Sequence, residues 1–339
     1  MSACDLPQDL IFEILSRLPV KSLVHLKSVS KPWLALIKNP NFISLHLNRT
    51  AMNPNNDAVI IYSLSLSQHH IMSLLYVNSI DNKPINLDHP LPQIFPRMDL
   101  VGSYNGIVCL SCPPNGRLIT LLNPATTQYK VIQLLSTSYN LDDVYSVSVG
   151  FVFDPVANDY KIVVILHMNL ELPREKIRVK VEVYSAKNDS WKMIEVETPF
   201  FVSRTRCNAI LKGSPYWTGF IRDEEEVSGI REVFVLFDPQ NEVFGLCPVP
   251  EYPEQFTCNE GPGRKIGPIP LKVVTLIECC KNGEILAEGT EGKLFLYDPK
   301  TNGVKDILID EVRANSYKAC SYTESLVSIE GMKQVGQKG

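Results

Sequence analysis

The chain has 339 residues, 45% of them hydrophobic and 21% charged, with a formal net charge of −4. This is the composition of a globular protein with enough apolar material for a sizeable core, and it lacks the concentrated positive face that binding to nucleic acid requires. The longest apolar run, Ile162 to Leu166, stops at His167, well short of the ~18 residues of a membrane span, so neither nucleic acid nor membrane is expected as a partner.

The start, Met1 to Asp5, has no basic cluster and no long apolar stretch, so no secretory signal is expected. Nine cysteines at irregular spacing then read as reduced thiols of a cytoplasmic or nuclear protein. Pro7 suits the first turn of a helix, and Leu6, Leu10, Ile11, Ile14, Leu15 and Leu18 recur at helical spacing until Pro19 ends the element. A second helix is expected over Val20 to Ser28, using Val20, Leu23, Leu26 and Val29. Ser30 can cap a third, with Pro32 in its first turn and Trp33, Leu36 and Ile37 as apolar positions. Pro40 is expected to discourage further helix. So small a bundle cannot conceal all of these side chains, so either a partner or the rest of the chain must cover some of them.

Residues Leu6 to Leu23, continuing through Lys27-Ser28-Val29-Ser30-Lys31-Pro32-Trp33, closely resemble the F-box of plant F-box proteins. The resemblance implies binding to a Skp-type adaptor, which in turn binds a cullin scaffold. It carries Leu6, Pro7, Leu10, Ile14, Leu15, Leu18, Pro19, Val20, Leu23 and Trp33 over as motif positions for the adaptor. Which of these touch the adaptor and which form the F-box's own core stays open at this point, with Trp33 the one best placed to do both.

From residue 57 the texture changes to short β-branched and aromatic runs separated by turn dipeptides. A weak repeat recurs at Asn123-Pro124, Asp154-Pro155, Asp238-Pro239 and Asp298-Pro299, with a proline-free variant over Tyr184 to Trp191. In the four proline-bearing copies the Asn or Asp side chain can bond the backbone just ahead while proline fixes φ for a turn. Stacked hairpins of this kind point to a propeller or a sandwich. The segments around Asn105-Gly106, Val149 to Lys161, Val181 to Trp191, and Asn282-Gly283 through Pro299 resemble the type-one F-box-associated interaction domain, so the resemblance spans nearly the whole chain. Tyr322 to Val327 resembles the S-locus-F-box-like subgroup, which is implicated in recognising pollen-rejection ribonucleases. One departure is the interval between Asp238 and Asn282. The family usually has a tryptophan-containing strand pair there, whereas this chain has Pro248, Pro250, Pro253, Pro262, Pro268 and Pro270, as though a blade were shortened or missing.

No constellation of catalytic groups emerges. Cys109-x-x-Cys112 has no second pair at zinc-ribbon distance, Cys279-Cys280 should point to opposite faces of a strand, and His69-His70 reads as a turn. Gly261-Pro262-Gly263 is no phosphate loop, and Asp223 to Glu226 reads as a solvated loop tip. Tyr216 and Trp217 are expected in the core. No catalytic residue, metal site or cofactor is therefore expected, and the target-binding residues are left unassigned.

The expected architecture is α+β and multidomain. A three-helix F-box occupies residues 1–45, a linker 46–56, an all-β, kelch-like propeller 57–330 and a tail 331–339. The expected function is that of a non-catalytic, substrate-receiving subunit of a Skp-cullin-F-box ubiquitin ligase, with an unknown target protein. The alternatives are a binding regulator without ligase output and an S-locus receptor for ribonucleases.

Overall fold

The computed structural model describes residues 7–334, apart from 68, 80, 82, 88–97, 113–117, 135–143, 169–178, 197–199, 203–208, 212–213, 224–228, 250–272, 310–311 and 314–315. It opens with helices α1 (Gln8–Leu15), α2 (Val20–Leu26), α3 (Lys31–Ile37) and α4 (Pro40–Met52). Ser30 caps α3 by accepting the Trp33 N–H, as its sequence position predicts. The expectation of three helices is corrected to four. Pro40 starts α4 instead of preventing it, because at the first helical position its missing N–H has no intrahelical partner to lose, and the Asn39 side chain caps the turn by accepting from the Asn41 N–H. Helix α4 therefore runs through residues 46–52, where a linker was expected.

Among the described residues five antiparallel sheets follow, the blades of a propeller. Blade I is β1 (Ala58–Leu64), β2 (His70–Tyr76) and β3 (Ile85–Asn86), joined by β21 (Lys318–Tyr322) from the other end of the chain. Blade II is β4 (Asp99–Tyr104), β5 (Ile107–Ser111), β6 (Leu118–Asn123) and β7 (Gln128–Gln133), with β22 (Lys333–Gln334) added at its edge. Blade III is β8 (Val144–Asp154), β9 (Asp159–Met168), β10 (Val179–Ser185) and β11 (Ser190–Ile194). Blade IV is β12 (Phe201–Val202), β13 (Ala209–Leu211), β14 (Ser214–Arg222), β15 (Ile230–Asp238) and β16 (Val243–Pro248). Blade V is β17 (Val273–Cys279), β18 (Ile285–Gly289), β19 (Leu294–Asp298) and β20 (Gly303–Ile307). The blade count departs from the kelch-like expectation, and β22 takes up residues assigned to a tail. The expected blade defect falls largely on residues 250–272, outside the described residues. Pro248 itself lies in β16, which among the described residues pairs with β15 alone, the edge position that proline tolerates.

Strand alternation builds the seams between blades. Ala58, Ile60 and Tyr62 of β1 face blade II, while Val59 and Ile61 face blade V. Ile162, Val164 and Leu166 of β9 pack on blade II, and Val163 and Ile165 pack on blade IV. A strand buried on both faces must be apolar at every position, which is why Ile162 to Leu166 reads as an unbroken run. Trp217 is fully buried in the seam between blades III and IV, and a Cβ on Gly150 would lie 2.6 Å from its ring.

The Asn/Asp-Pro repeats are hairpin turns. Asn123, Asp154 and Asp238 each accept two backbone N–H groups, from the residues two and three positions on, and Asp298 accepts the Lys300 N–H. Ser185 Oγ does the same work by accepting the Asn188 N–H. Four residues beyond each of these acceptors stands a residue with left-handed φ: Thr127, Asn158, Asp189, Glu242 and Asn302, at 49–56°. That conformation lets the chain re-enter the next strand.

Lysines stitch adjacent turns together. Lys161, almost fully buried, reaches Asp154 at 3.1 Å, Glu242 at 2.9 Å and the Pro239 carbonyl at 2.5 Å. Burial alone would raise the Asp154 pKa, but the N–H groups of Ala157 and Val156 and the Lys161 ammonium hold it below its ordinary value. Lys130 of blade II pairs with Asp189 of blade III at 2.9 Å. Cys279 is disulfide-bonded, an exception to the expectation of reduced thiols. Cys109 is buried on β5 and forms no disulfide.

His167 joins blades III and IV. Its buried Nε2 accepts the Val202 N–H at 3.1 Å, and burial pushes its pKa down to about 4 from an ordinary 6.5. Only the neutral ring can accept this bond. The stabilisation is therefore complete above pH 6.5 and is lost as pH falls toward 4, amounting to about 3 kcal/mol for a shift of this size. Urea midpoints measured from pH 7 to pH 4 are expected to fall more steeply for the wild type than for His167→Gln, which keeps an acceptor and cannot titrate. Parallel slopes would contradict this account.

Candidate functional site

The helices divide their apolar side chains between an interior and an exposed stripe. Leu15, Val20, Leu23, Ile37 and Phe42 are buried together, with Phe12 set edge-on against Phe42 at 5.1 Å. On the outer side of α1, Leu10 and Ile14 are 50% and 51% exposed, and Pro7 is exposed just before them. Positions 7, 10 and 14 fall on one helical face, so they form one continuous apolar stripe.

The ten residues taken from the motif thus separate. Pro7, Leu10, Ile14 and Pro19 are exposed, Leu18 and Trp33 are half-buried, and Leu15, Val20 and Leu23 are interior. Leu6 lies outside the described residues. The three interior residues hold the helices together and do not present a surface. Sequence reasoning missed Phe42 and His46 because Pro40 was taken as a stop. It missed Leu326 because nothing local marks a residue that packs across nearly the whole chain length.

Helix α4 fastens the elbow between α1 and α2. Buried His46 bonds the Leu18 carbonyl through Nε2 at 2.8 Å, and burial lowers its pKa. Arg49 contacts Ser16 Oγ and reaches Glu13 at 2.6 Å, while Arg17 meets Glu13 at 2.7 Å. Hydrogen bonds from Arg17 and Arg49 hold the Glu13 carboxyl below its ordinary value.

The propeller's two faces differ. One carries the Asx turns and the helices, and a cleft of ≈ 1060 Å³ lies between them, lined by Lys27, Lys38, Asn41, Pro155 and Lys187 among others. On the opposite face, Leu66, Tyr145, Ile230, Val274 and Leu308 are solvent-exposed at strand ends. Other exposed apolar residues of the propeller lie mainly on its outer strands, at Ile85, Val131, Met193, Val243 and Val304, with Val156 in a helix-side turn.

Among the described residues, no group of three or more His, Cys, Asp or Glu side chains is placed to hold a metal. His70 begins β2 and stacks on Tyr62 at 5.0 Å. No described helix is long and apolar enough to cross a membrane. Gly261 to Gly263 and Glu224 to Glu226 lie outside the described residues.

Comparison with known families decides the class. Residues 3–45 match the F-box domain, and residues 60–260 match the F-box associated beta propeller domain, which is more than half of the chain. The chain belongs to the F-box proteins with an F-box-associated propeller. Among its relatives in Arabidopsis thaliana, the F-box protein CPR1 is 31% identical over 197 residues, covering 56% of this chain and 45% of that protein. The F-box protein At3g19560 is 30% identical over 256 residues, covering 73% of this chain and 64% of that protein. The chain thus spans about half to two thirds of the length of these two relatives. Among solved structures, the tricorn protease aligns at a TM-score of 0.33 and 11% identity, over 75% of this chain and 26% of that one. These relatives are F-box proteins in general and do not single out the S-locus subgroup.

Leu23→Ala is expected to destabilise the helical unit by about 2–5 kcal/mol, as a cavity in a packed core does. Ile14→Ser, on the exposed stripe, should stay within about 0.5 kcal/mol. Hydrogen exchange of the α1 to α4 amides in both variants checks the pair of values.

Proposed function

We propose that this F-box protein is the substrate-receiving subunit of a Skp-cullin-F-box ubiquitin ligase, working in the cytoplasm or nucleus. The observation that carries the reading is the uncovered stripe of Pro7, Leu10 and Ile14 on α1. The helices have a filled interior, yet two large aliphatic side chains remain half in water at helical spacing. A cluster of this kind is a surface for another polypeptide, and in an F-box that polypeptide is a Skp-type adaptor, which brings the cullin scaffold.

The interior residues Leu15, Val20 and Leu23 then act at one remove, by holding α1 in place. The target would meet the face opposite the helices, where Leu66, Tyr145, Ile230, Val274 and Leu308 are exposed. Tyrosine and aliphatic anchors of this type supply contact energy in protein interfaces. The subunit would make no bonds itself. It would raise the effective concentration of a target lysine near the charged ubiquitin carrier. Neither a cofactor nor a metal enters this reading.

The resemblance of Tyr322 to Val327 to S-locus proteins does not point to ribonuclease recognition here. Those residues are engaged in joining the propeller to the helices, as set out below. A regulator without ligase output would use the same adaptor stripe, and cullin recruitment by the adaptor-bound chain separates the two.

The double variant Leu10→Asp/Ile14→Asp is expected to remain folded and to lose adaptor affinity by at least about a hundredfold, because two carboxylates would enter an apolar contact. Adaptor capture at wild-type strength by this folded variant would refute the assignment of the stripe.

A further inference from the structure

The covalent path from the F-box to the propeller is short. Helix α4 ends at Met52, a single 3-10 turn covers Pro54–Asn56, and β1 begins at Ala58. One such connection, taken alone, is a hinge. A second connection comes from the opposite end of the chain. After β21, Tyr322 is buried in the seam of blades I and II, and the backbone then crosses toward the helices.

Leu326, 2% exposed, inserts among Leu15, Val20, Leu23, Ile37 and Phe42. It is a residue of the F-box interior supplied by the far end of the sequence. Its neighbours are fixed to the propeller. Ser325 is fully buried and donates to the Asn105 carbonyl at 2.6 Å. Asn123 Nδ2 donates to the carbonyls of Ser325 and Val327 at 3.0 and 2.8 Å, spanning Leu326, while its Oδ1 holds the blade II turn. The Asn105-Gly106 turn leaves room for this passage: a Cβ on Gly106 would lie 2.8 Å from Ser325 Cβ and 2.9 Å from the Thr323 carbonyl. Lys281 of blade V donates to Thr323 Oγ1 at 2.8 Å. Downstream, Ile329 enters the seam of blades II and III, Lys130 donates to the Glu330 carbonyl at 2.9 Å, and β22 pairs with β7.

We propose that residues Thr323 to Ile329 form a strap that converts the hinge into a fixed joint, and that Leu326 and Asn123 are positioning residues for ubiquitin transfer. The proposal rests on the ligase reading above for its consequence, though not for its geometry. Two tethers far apart in sequence restrain rotation as well as separation. The target face is thereby held at one orientation relative to the adaptor stripe, and with it the set of lysines that can meet the ubiquitin carrier.

The test uses the full chain, alone and assembled with its adaptor and cullin, with its own lysines as the ubiquitin acceptors. Leu326→Ala opens a cavity in the helices. Asn123→Asp keeps the Oδ1 that organises the turn but places a carboxylate against two carbonyls, releasing the strap without touching the helices. Leu326→Met should preserve wild-type behaviour. For both releasing variants, small-angle scattering is expected to show a broadened separation of helices and propeller. Adaptor affinity should stay within about twofold of wild type, and the map of self-modified lysines should widen from a restricted set to a dispersed one. Where Leu326→Ala unfolds the helices, Asn123→Asp alone decides. Unchanged scattering and an unchanged lysine map in Asn123→Asp would overturn the strap, as would a wild-type chain that already samples broad separations. A wild-type chain that fails to bind the adaptor would overturn the ligase reading instead, and scattering would still judge the joint.

Discussion

Closure of the ring is the constraint on which the other features depend. β21 pairs with β1 in register from Ala58 opposite Tyr322 to Tyr62 opposite Lys318, so the last part of the chain completes the first blade. A propeller whose first and last segments share a sheet cannot open without breaking that ladder and the two apolar seams of blade I. The same pairing brings residue 322 beside residue 58, at the base of the helices. The strap follows directly, because only a chain end delivered to that point can reach the F-box interior.

Within the ring, one turn design is used repeatedly and linked across blades. A carboxylate or amide at the strand end gathers the following N–H groups, and a left-handed residue four positions on redirects the chain. The acceptors are then tied to lysines of neighbouring strands, as Lys161 ties Asp154 to Glu242 across blades III and IV. Burying such charges is costly unless every lone pair has a partner. Here the backbone N–H groups and the ammonium satisfy Asp154 together, so its cost is offset locally. The left-handed position also explains why Asn or Asp stands there in three of the five turns, at Asn158, Asp189 and Asn302.

The F-box shows how a small helical unit serves two interiors. One face of α1 packs inward through Ile11 and Leu15, and the other leaves Leu10 and Ile14 uncovered. The inward face is not self-sufficient either, since Leu326 fills its remaining space. The helical unit is therefore joined to the propeller by packing as well as by peptide bonds, while its outer stripe stays available.

Much of the fold was legible in local pattern. The helical periodicity of Leu10 to Leu15, the Ser30 cap and the Asn/Asp-Pro repeat are all short-range signals, and each appears in the structure at the residues that carry it, although α1 stops three residues before the expected Leu18. The motif also identified the candidate adaptor residues as a set. It could not divide that set, because whether a leucine such as Leu15 or Leu10 faces inward depends on what packs beside it. Pro40 misled because a proline that ends one helix and a proline that begins the next look alike until the backbone direction is known. The sequence alone determined the first three helices, the turn chemistry and the family. The closure by β21 and the insertion of Leu326 were decided only in three dimensions, because each depends on residues more than two hundred positions apart whose contact no local pattern encodes.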